Sequence, residues 1–152
     1  MTQEMDILLI EDNPEDVEIT LRAFRKHHLA NKIHVVRDGE EALECLFSTE
    51  RYAEGSSCQN IRLILLDLKL PKVDGLEILQ KVKSDPRTRH IPVVVLTSSR
   101  EEADLAKSYN YGVNSYVVKP VDFAQFSDAV RQVGLYWMLL NHVPAELSMD
   151  SA

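Results

Sequence analysis

The chain has 152 residues and a formal net charge of −7, with 45% hydrophobic and 27% charged residues. This length favours one globular domain with its own core, and the composition is ordinary for such a domain. No Lys/Arg-rich run offers the positive surface that nucleic acid requires, and the longest apolar stretch, Val133–Leu140, is much shorter than a membrane span. We therefore expect neither a nucleic-acid partner nor membrane insertion.

The N-terminus and the cysteines bear on the cellular compartment. Acidic residues precede the first apolar run, where a secretory signal would carry basic ones. Cys45 and Cys58 lack the spacing of a metal site or of a disulfide framework, and we interpret both as reduced thiols. The expected location is cytoplasmic.

Four short apolar runs, rich in Ile, Val and Leu, are too short for helices. They are Ile7–Ile10, Leu63–Leu66, Val93–Leu96 and Tyr116–Val118, and a fifth, weaker run is Ile33–Val36. Uninterrupted apolar runs of this length are typical of strands that are buried on both faces of a parallel sheet.

Segments with helical periodicity alternate with these runs. Asn13–Pro14 is a helix start, because asparagine caps free N–H groups and proline fits the first helical position. Further helices are predicted from Asp38, from Asp74–Gly75 to Asp85–Pro86, from Ser99 to about Tyr109 and from Asp122 to about Leu140. The alternation predicts an α/β fold, a flavodoxin-like (βα)5 doubly wound parallel sheet with strand order 2-1-3-4-5. We expect one domain over residues 1–152, with an ordered core at about 5–142 and a C-terminal tail at 143–152.

Polar residues follow four of the predicted strands. Ligands of doubly wound sheets bind beyond the carboxyl ends of the strands, so these residues are candidates for one common site. They are Glu11 and Asp12 after the first strand, Asp67 after the third, Thr97 after the fourth and Lys119 after the fifth. Close carboxylates repel one another, and Mg²⁺ would relieve that repulsion, with the backbone carbonyl of Lys69 as a further candidate ligand.

A phosphoryl group suits the same residues. The Asp67 carboxylate can attack phosphorus and form an aspartyl phosphate. The metal, the Lys119 ammonium and the Thr97 hydroxyl could then stabilise the phosphoryl oxygens. Taken singly, each residue is as simply interpreted as a solvated acid, a strand-end hydroxyl or a surface lysine, and their convergence on one edge is what favours a site.

Four motifs resemble those of response regulator receiver domains in order, spacing and context: LLIEDN, LILLDLKLPKVDG, VVVLTSS and YVVKP. The resemblance covers about residues 5–142. It implies a receiver of a two-component system, in which Glu11 and Asp12 bind Mg²⁺, Asp67 is phosphorylated, and Thr97 and Lys119 stabilise the phosphate.

The resemblance also implies details around this site. The Lys119–Pro120 bond should be cis, and Gly75 fits the pattern at eight residues past Asp67. Tyr116 falls at a switch position, where the ring turns inward behind the hydroxyl residue after phosphorylation. A plain strand aromatic remains the alternative for Tyr116.

The implied partner is a sensor histidine kinase. The segment YVVKPVDF…GLYW…LN is similar to phytochrome-associated response regulators, so a phytochrome-type photoreceptor kinase is a candidate. The predicted last helix becomes apolar nearly all round at Leu135, Tyr136, Met138 and Leu139, and we expect a homodimer through these residues. The alternative is a monomer in which Pro144–Leu147 covers the patch.

Three other functions fit the sequence less well. A phosphatase that works through an aspartyl phosphate would usually have an acid two residues past the nucleophile, where this chain has Lys69. A flavodoxin-like cofactor binder would have a Ser/Thr/Gly-rich loop after the first strand, where Glu11 and Asp12 would repel phosphate. A phosphorylation-independent adaptor would not need Glu11, Asp12 and Asp67 together. The prediction is therefore a stand-alone receiver that catalyses only its own phosphorylation and dephosphorylation.

Overall fold

The computed structural model describes residues 7–26, 33–47, 61–70, 73–98 and 115–132. Within these ranges lie five strands: β1 (Ile7–Ile10), β2 (Ile33–Val36), β3 (Leu63–Asp67), β4 (Val93–Thr97) and β5 (Ser115–Val118). All neighbouring strands are parallel, in the order β2-β1-β3-β4-β5, which confirms the predicted flavodoxin-like sheet. β3 and β4 each extend one residue beyond the apolar run, so Asp67 and Thr97 are the last residues of their strands.

The described helices are α1 (Pro14–Arg25), α2 (Gly39–Phe47), α3 (Gly75–Ser84) and a helix at Phe123–Gln132, called here the C-terminal helix. None of these described helices is long and apolar enough to cross a membrane. The helix predicted from Ser99 to Tyr109 lies outside the described residues. So do the extension of the last helix to Leu140 and the C-terminal tail.

Local capping explains where α1 begins. The Asn13 side chain accepts hydrogen bonds from the backbone N–H groups of Glu15 and Asp16, at 2.8 and 3.2 Å, and Pro14 takes the first helical position. These contacts satisfy N–H groups that have no partner inside a helix, as the sequence predicted. The start of α1 is thereby fixed directly beyond the carboxyl end of β1.

The sheet carries an apolar core on each face. One face packs Leu8, Ile10 and Leu66 against α2 and α3. The other packs Leu9 and Leu65 against Phe24 of α1 and Phe126 of the C-terminal helix, whose ring centroids are 4.3 Å apart. Burial on both faces explains why the three central strands, β1, β3 and β4, have continuous apolar runs. Polar residues lie where the strands end, at their carboxyl ends.

The interpretation of the cysteines as reduced thiols is wrong for Cys45, which is disulfide-bonded. Cys45 lies on the buried side of α2. Whether two thiols pair depends on the distance between their backbones in the folded chain, which the sequence spacing does not reveal. The chain's other cysteine, Cys58, lies outside the described residues. The thiol state therefore no longer supports the expected cytoplasmic location.

Candidate functional site

The sheet register brings the predicted site residues to one edge. Asp67 ends β3 and is partnered with Leu96, so Thr97 follows one step beyond it on β4. Glu11 directly follows β1, and its backbone N–H donates to the Val36 carbonyl at 3.0 Å. Glu11, Asp67 and Thr97 are all buried. Buried polar groups are costly unless they have partners, so the interactions at this edge are central to the site.

Lys119 contacts three carboxylates of the site. Its Nζ atom lies 2.8 Å from Glu11 Oε1, 3.0 Å from Asp16 Oδ2 and 3.1 Å from Asp67 Oδ2. It donates hydrogen bonds to the Asp16 and Asp67 oxygens. One ammonium thus neutralises carboxylates from the end of β1, from α1 and from β3.

The loop after β5 holds Lys119 in this position. The Lys119 backbone N–H donates to the Thr97 carbonyl at 2.8 Å, and the Lys119–Pro120 bond is cis, as predicted. Gln125 of the C-terminal helix clamps the same loop: its Oε1 accepts from the Val118 N–H at 3.1 Å, and its Nε2 donates to the Pro120 carbonyl at 3.3 Å. The backbone on both sides of Lys119 is therefore tied to the scaffold.

Asp67 is oriented from two sides. Its Oδ1 accepts a hydrogen bond from the Lys69 backbone N–H at 3.0 Å, while its Oδ2 faces the Lys119 ammonium. The start of α3 packs against the end of the strand, and the Gly75 N–H donates to the Leu68 carbonyl at 3.2 Å. The carboxylate is therefore held in one orientation by backbone and ammonium donors.

Burial and charge act in opposite directions at this site. Burial, which penalises the charged form, raises the pKa of Glu11 from 4.5 to about 7; the Asp67 carboxylate adds to the rise, and Lys119 opposes it. Burial by itself lowers the pKa of Lys119, but the surrounding Glu11, Asp16 and Asp67 carboxylates outweigh burial and raise it above its ordinary value. Lys119 therefore stays charged at neutral pH, and Glu11 is an acid of the site that readily takes up a proton.

The carboxylates fit a divalent cation. Glu11, Asp12 and Asp67 each place an oxygen within 4.8 Å of the others. Glu11 Oε1 is buried and forms an ion pair with the Lys119 ammonium at 2.8 Å. Carboxylate oxygens are the ligands that Mg²⁺ prefers, and a small hard cation would compensate the charge that the three acids bring together.

We expect Mg²⁺ affinity to rise with pH up to about 7, because the raised pKa of Glu11 leaves a proton on the site that the cation must displace. Below that pKa, affinity should increase by up to roughly tenfold per pH unit, and above it the dependence should flatten. Isothermal titration calorimetry in two buffers with different ionisation heats measures the protons released per Mg²⁺ bound. An affinity that does not change with pH across this range would contradict the expectation, and Glu11→Gln should remove the dependence.

The geometry brings together most of the predicted site residues. Glu11, Asp12, Asp67 and Lys119 form one cluster, and Thr97 joins it through its backbone bond to Lys119. Two contributors were missed. Asp16 was not predicted, although its place in the first turn of α1, directly beyond the carboxyl end of β1, was a usable signal. Gln125 carried no signal, because a clamp on a neighbouring loop has no sequence pattern.

The remaining predicted residues lie on β5, beside Asp67 or outside the described part of the chain. Tyr116 lies on β5, is half-buried and packs against the core on the α2–α3 face, which leaves its switch role a prediction. The Lys69 carbonyl remains a candidate ligand. The interface residues Leu135, Tyr136, Met138 and Leu139 lie outside the described residues.

The sequence was compared with models of known protein families. Residues 7–131 match the response regulator receiver domain. The chain belongs to the response regulator receiver family. A receiver is a signalling domain, and the strand order found here, with acids directly after β1 and at the end of β3, is the expected flavodoxin-like architecture of that family.

Individual receivers of known origin are similar over almost the whole chain. The probable methanogenesis regulatory protein FilR2 of Methanothrix harundinacea is 42% identical, covering 91% of this chain and 86% of that protein. The response regulator Rcp1 of Synechocystis is 36% identical, covering 91% and 92%.

Solved receiver structures agree with the fold. The bacteriophytochrome response regulator AtBRR is 54% identical, covers 93% of this chain and 99% of its own, and superposes with a TM-score of 0.81. The Mn²⁺-bound form of Rcp1 is 33% identical, covers 90% of each chain and superposes with a TM-score of 0.64. This chain is therefore a receiver related to stand-alone response regulators, including phytochrome-associated ones.

Proposed function

We propose that this receiver accepts a phosphoryl group on Asp67 from a sensor histidine kinase, in a reaction that depends on Mg²⁺. The observation that carries the proposal is the placement of Asp67. Asp67 is the last residue of β3 and is only 5% exposed. Its carboxylate lies 3.1 Å from the Lys119 ammonium, and it has an oxygen within 4.8 Å of those of Glu11 and Asp12. A structural aspartate at a strand end has no need of such an environment.

The chemistry assigned to Asp67 is a single displacement. An Asp67 oxygen attacks the phosphorus of a phosphohistidine, a P–O bond forms, and the P–N bond breaks with its electron pair leaving on the imidazole. Glu11, Asp12 and Asp67, with the Lys69 carbonyl, would hold the Mg²⁺, which when bound supplies positive charge to the phosphoryl oxygens. Lys119 is placed to add an ammonium, and the Thr97 hydroxyl to donate a hydrogen bond to the acquired group.

The acquired phosphate is proposed to change how the protein binds others. It adds charge and acceptor oxygens that favour one of two existing conformations. Thr97 ends β4, and its carbonyl is bonded to the residue that follows β5, the strand that carries Tyr116. A shift of the Thr97 hydroxyl toward phosphate would therefore be passed along the β4–β5 pair toward Tyr116. The proposed output surface includes the C-terminal helix and the homodimer residues Leu135, Tyr136, Met138 and Leu139.

The proposed phosphodonor is a kinase of the phytochrome type, and the proposed location is cytoplasmic. AtBRR and Rcp1 support the kinase assignment, since the first is a bacteriophytochrome response regulator and similarity to both covers nine-tenths of the chain. Mn²⁺ bound to Rcp1 supports a divalent cation in this site. FilR2, a probable methanogenesis regulator, is a reason to test kinases of other input types as well.

A phosphatase is the competing function, and Lys69 is the observation against it. The position two residues after Asp67 would usually hold a carboxylic acid in such an enzyme, and this chain has Lys69 there. In this chain the Lys69 backbone N–H is used to orient Asp67 instead. We therefore assign no turnover of other molecules to this site.

Asp67→Asn should abolish phosphoryl uptake, because an amide lacks the charged nucleophilic oxygen. The wild type, incubated with Mg²⁺ and acetyl phosphate, should gain one phosphoryl group by intact mass, and the variant should lose uptake by at least about 100-fold. Uptake should also disappear when Mg²⁺ is removed with a chelator. Equal incorporation in wild type and Asp67→Asn would refute Asp67 as the acceptor.

Asp74→Asn is the matched control. Asp74 is an exposed acid at the start of α3, and its side chain makes no capping hydrogen bond. The substitution removes the same charge from the same part of the chain without touching Lys119. Its uptake should equal that of the wild type.

A further inference from the structure

Asp16 differs from the other partners of Lys119. Glu11 and Asp67 contact the ammonium and also belong to the group of three carboxylates that can hold a cation. Asp16 contacts the ammonium at 3.0 Å but is not part of that group. Asp16 is therefore the one partner of Lys119, among the described residues, that a bound cation would leave untouched.

The geometry creates a competition for the shared carboxylates. A cation and the Lys119 ammonium both draw on Glu11 and Asp67. When a cation binds these oxygens, the ammonium loses part of its neutralising contacts while remaining half-buried, and an unpaired buried charge is costly. The cost falls if one carboxylate stays with the ammonium throughout.

We infer that Asp16 is a positioning residue that holds Lys119 in the site while a divalent cation occupies Glu11, Asp12 and Asp67. Asp16 thereby lowers the cost of cation binding and keeps the ammonium ready for a phosphoryl group. The inference rests on the proposed function, because it assumes that a cation and a phosphoryl group use the same acids. Asp16 itself would contact neither the cation nor the phosphoryl group.

The fold explains why Asp16 can do this. Asn13 and Pro14 fix the first turn of α1, and the Asp16 N–H is bonded to the Asn13 side chain. Val17, on the buried face of the helix, sets the rotation of that turn against the core. Asp16 then points across to Lys119, which is 103 positions away along the chain, while its neighbour Glu15 faces solvent.

The test is a double-mutant cycle on Mg²⁺ affinity, measured by calorimetry without any phosphodonor. Asp16→Asn should raise the Kd for Mg²⁺ by roughly fivefold in the wild-type background. In a Lys119→Met background, the ammonium through which Asp16 acts is absent. Asp16→Asn should then change the Kd for Mg²⁺ only as much as the removal of a negative charge elsewhere on the surface does. An equal change in both backgrounds would overturn the inference.

Glu15→Gln is the matched control in both backgrounds. Glu15 is exposed and adjacent to Asp16, and the substitution Glu15→Gln removes the same unit of negative charge. It measures the general electrostatic effect on Mg²⁺, so an Asp16→Asn effect no larger than that of Glu15→Gln would also overturn the inference.

A second readout avoids any substitution of Lys119. The ¹⁵N resonance of the Lys119 ammonium should move little when Mg²⁺ is added to the wild type and should move or broaden in Asp16→Asn. Identical responses in both proteins would contradict a positioning role. Failure of phosphoryl uptake at Asp67 would refute the proposed function while leaving this Mg²⁺-dependent coupling measurable, so the two failures can be told apart.

Discussion

Replacing Lys119 with methionine should lower the free energy of unfolding by about 3 kcal/mol in the absence of divalent cations. The substitution keeps most of the apolar stem but removes the charge that Glu11, Asp16 and Asp67 share. Removing one member of a buried ionic group leaves the others without compensation. The loss should be smaller below pH 7, because Glu11, whose pKa is raised to about 7, can take up a proton and so reduce the repulsion.

Mg²⁺ should restore much of this stability, and that dependence distinguishes the prediction from a packing defect. A ligand that binds only the folded state stabilises it by an amount that grows with the logarithm of one plus the ratio of ligand concentration to Kd. Urea unfolding of Lys119→Met with and without Mg²⁺ should therefore differ more than the same pair of measurements on the wild type. Lys81→Met, at an exposed position of α3, is the control and should change neither value appreciably. Equal Mg²⁺ effects in the two variants would contradict the assignment of the ammonium and the cation to the same acids.

The fold was predictable because its signals are local. The three central strands are runs such as Leu63–Leu66 that are buried on both faces, and α1 begins at a cap that its own sequence provides. Parallel strands place all their carboxyl ends on one edge, so the polar residues that follow them could be assigned to one site without knowledge of any distance.

The site was predictable only in part, because its remaining members depend on how elements pack. Asp16 reaches Lys119 because of the rotation of α1 against the sheet, and Gln125 reaches Val118 because the C-terminal helix crosses β5. Neither relation has a fixed spacing in the sequence. The bonded state of Cys45 was missed for the same reason, since it depends on the distance between backbones. Local sequence rules identify which residues are polar at an edge but not which of them share a partner.

The buried polar groups that the site needs, and that cost stability, are concentrated at the carboxyl ends of the strands. The three central strands are otherwise apolar, whereas Glu11, Asp67 and Thr97 are buried polar groups that a purely structural edge would not need. The compensation is unusual in being shared, because Lys119 serves three acids at once. A binding event that draws any of these acids away changes the energy of the whole cluster, which suits a switch better than a static scaffold.

Gly75→Ala should destabilise the protein by roughly 2–3 kcal/mol, although helix propensity alone predicts the opposite sign. Alanine in a helix is favoured over glycine by up to about 1 kcal/mol. A Cβ at Gly75, however, would lie 2.6 Å from both the Asp67 carbonyl oxygen and the Leu68 Cα, and 2.8 Å from the Leu68 carbonyl oxygen. These are backbone atoms that no side-chain rotation can move away, so α3 or the end of β3 must shift.

The same shift should slow phosphoryl uptake in the fraction that remains folded, because Asp67 would be displaced relative to Lys119. Gly39→Ala is the matched control: its added methyl would press on Val73 rather than on Asp67, so it should reduce stability yet leave uptake by folded protein unchanged. Urea unfolding measures the first effect, and acetyl phosphate kinetics under conditions where both variants are folded measure the second. Equal uptake rates in the two variants would mean that the packing of α3 against β3 does not set the position of Asp67. A loss confined to Gly75→Ala would identify this glycine as the contact through which the helix fixes the acceptor carboxylate.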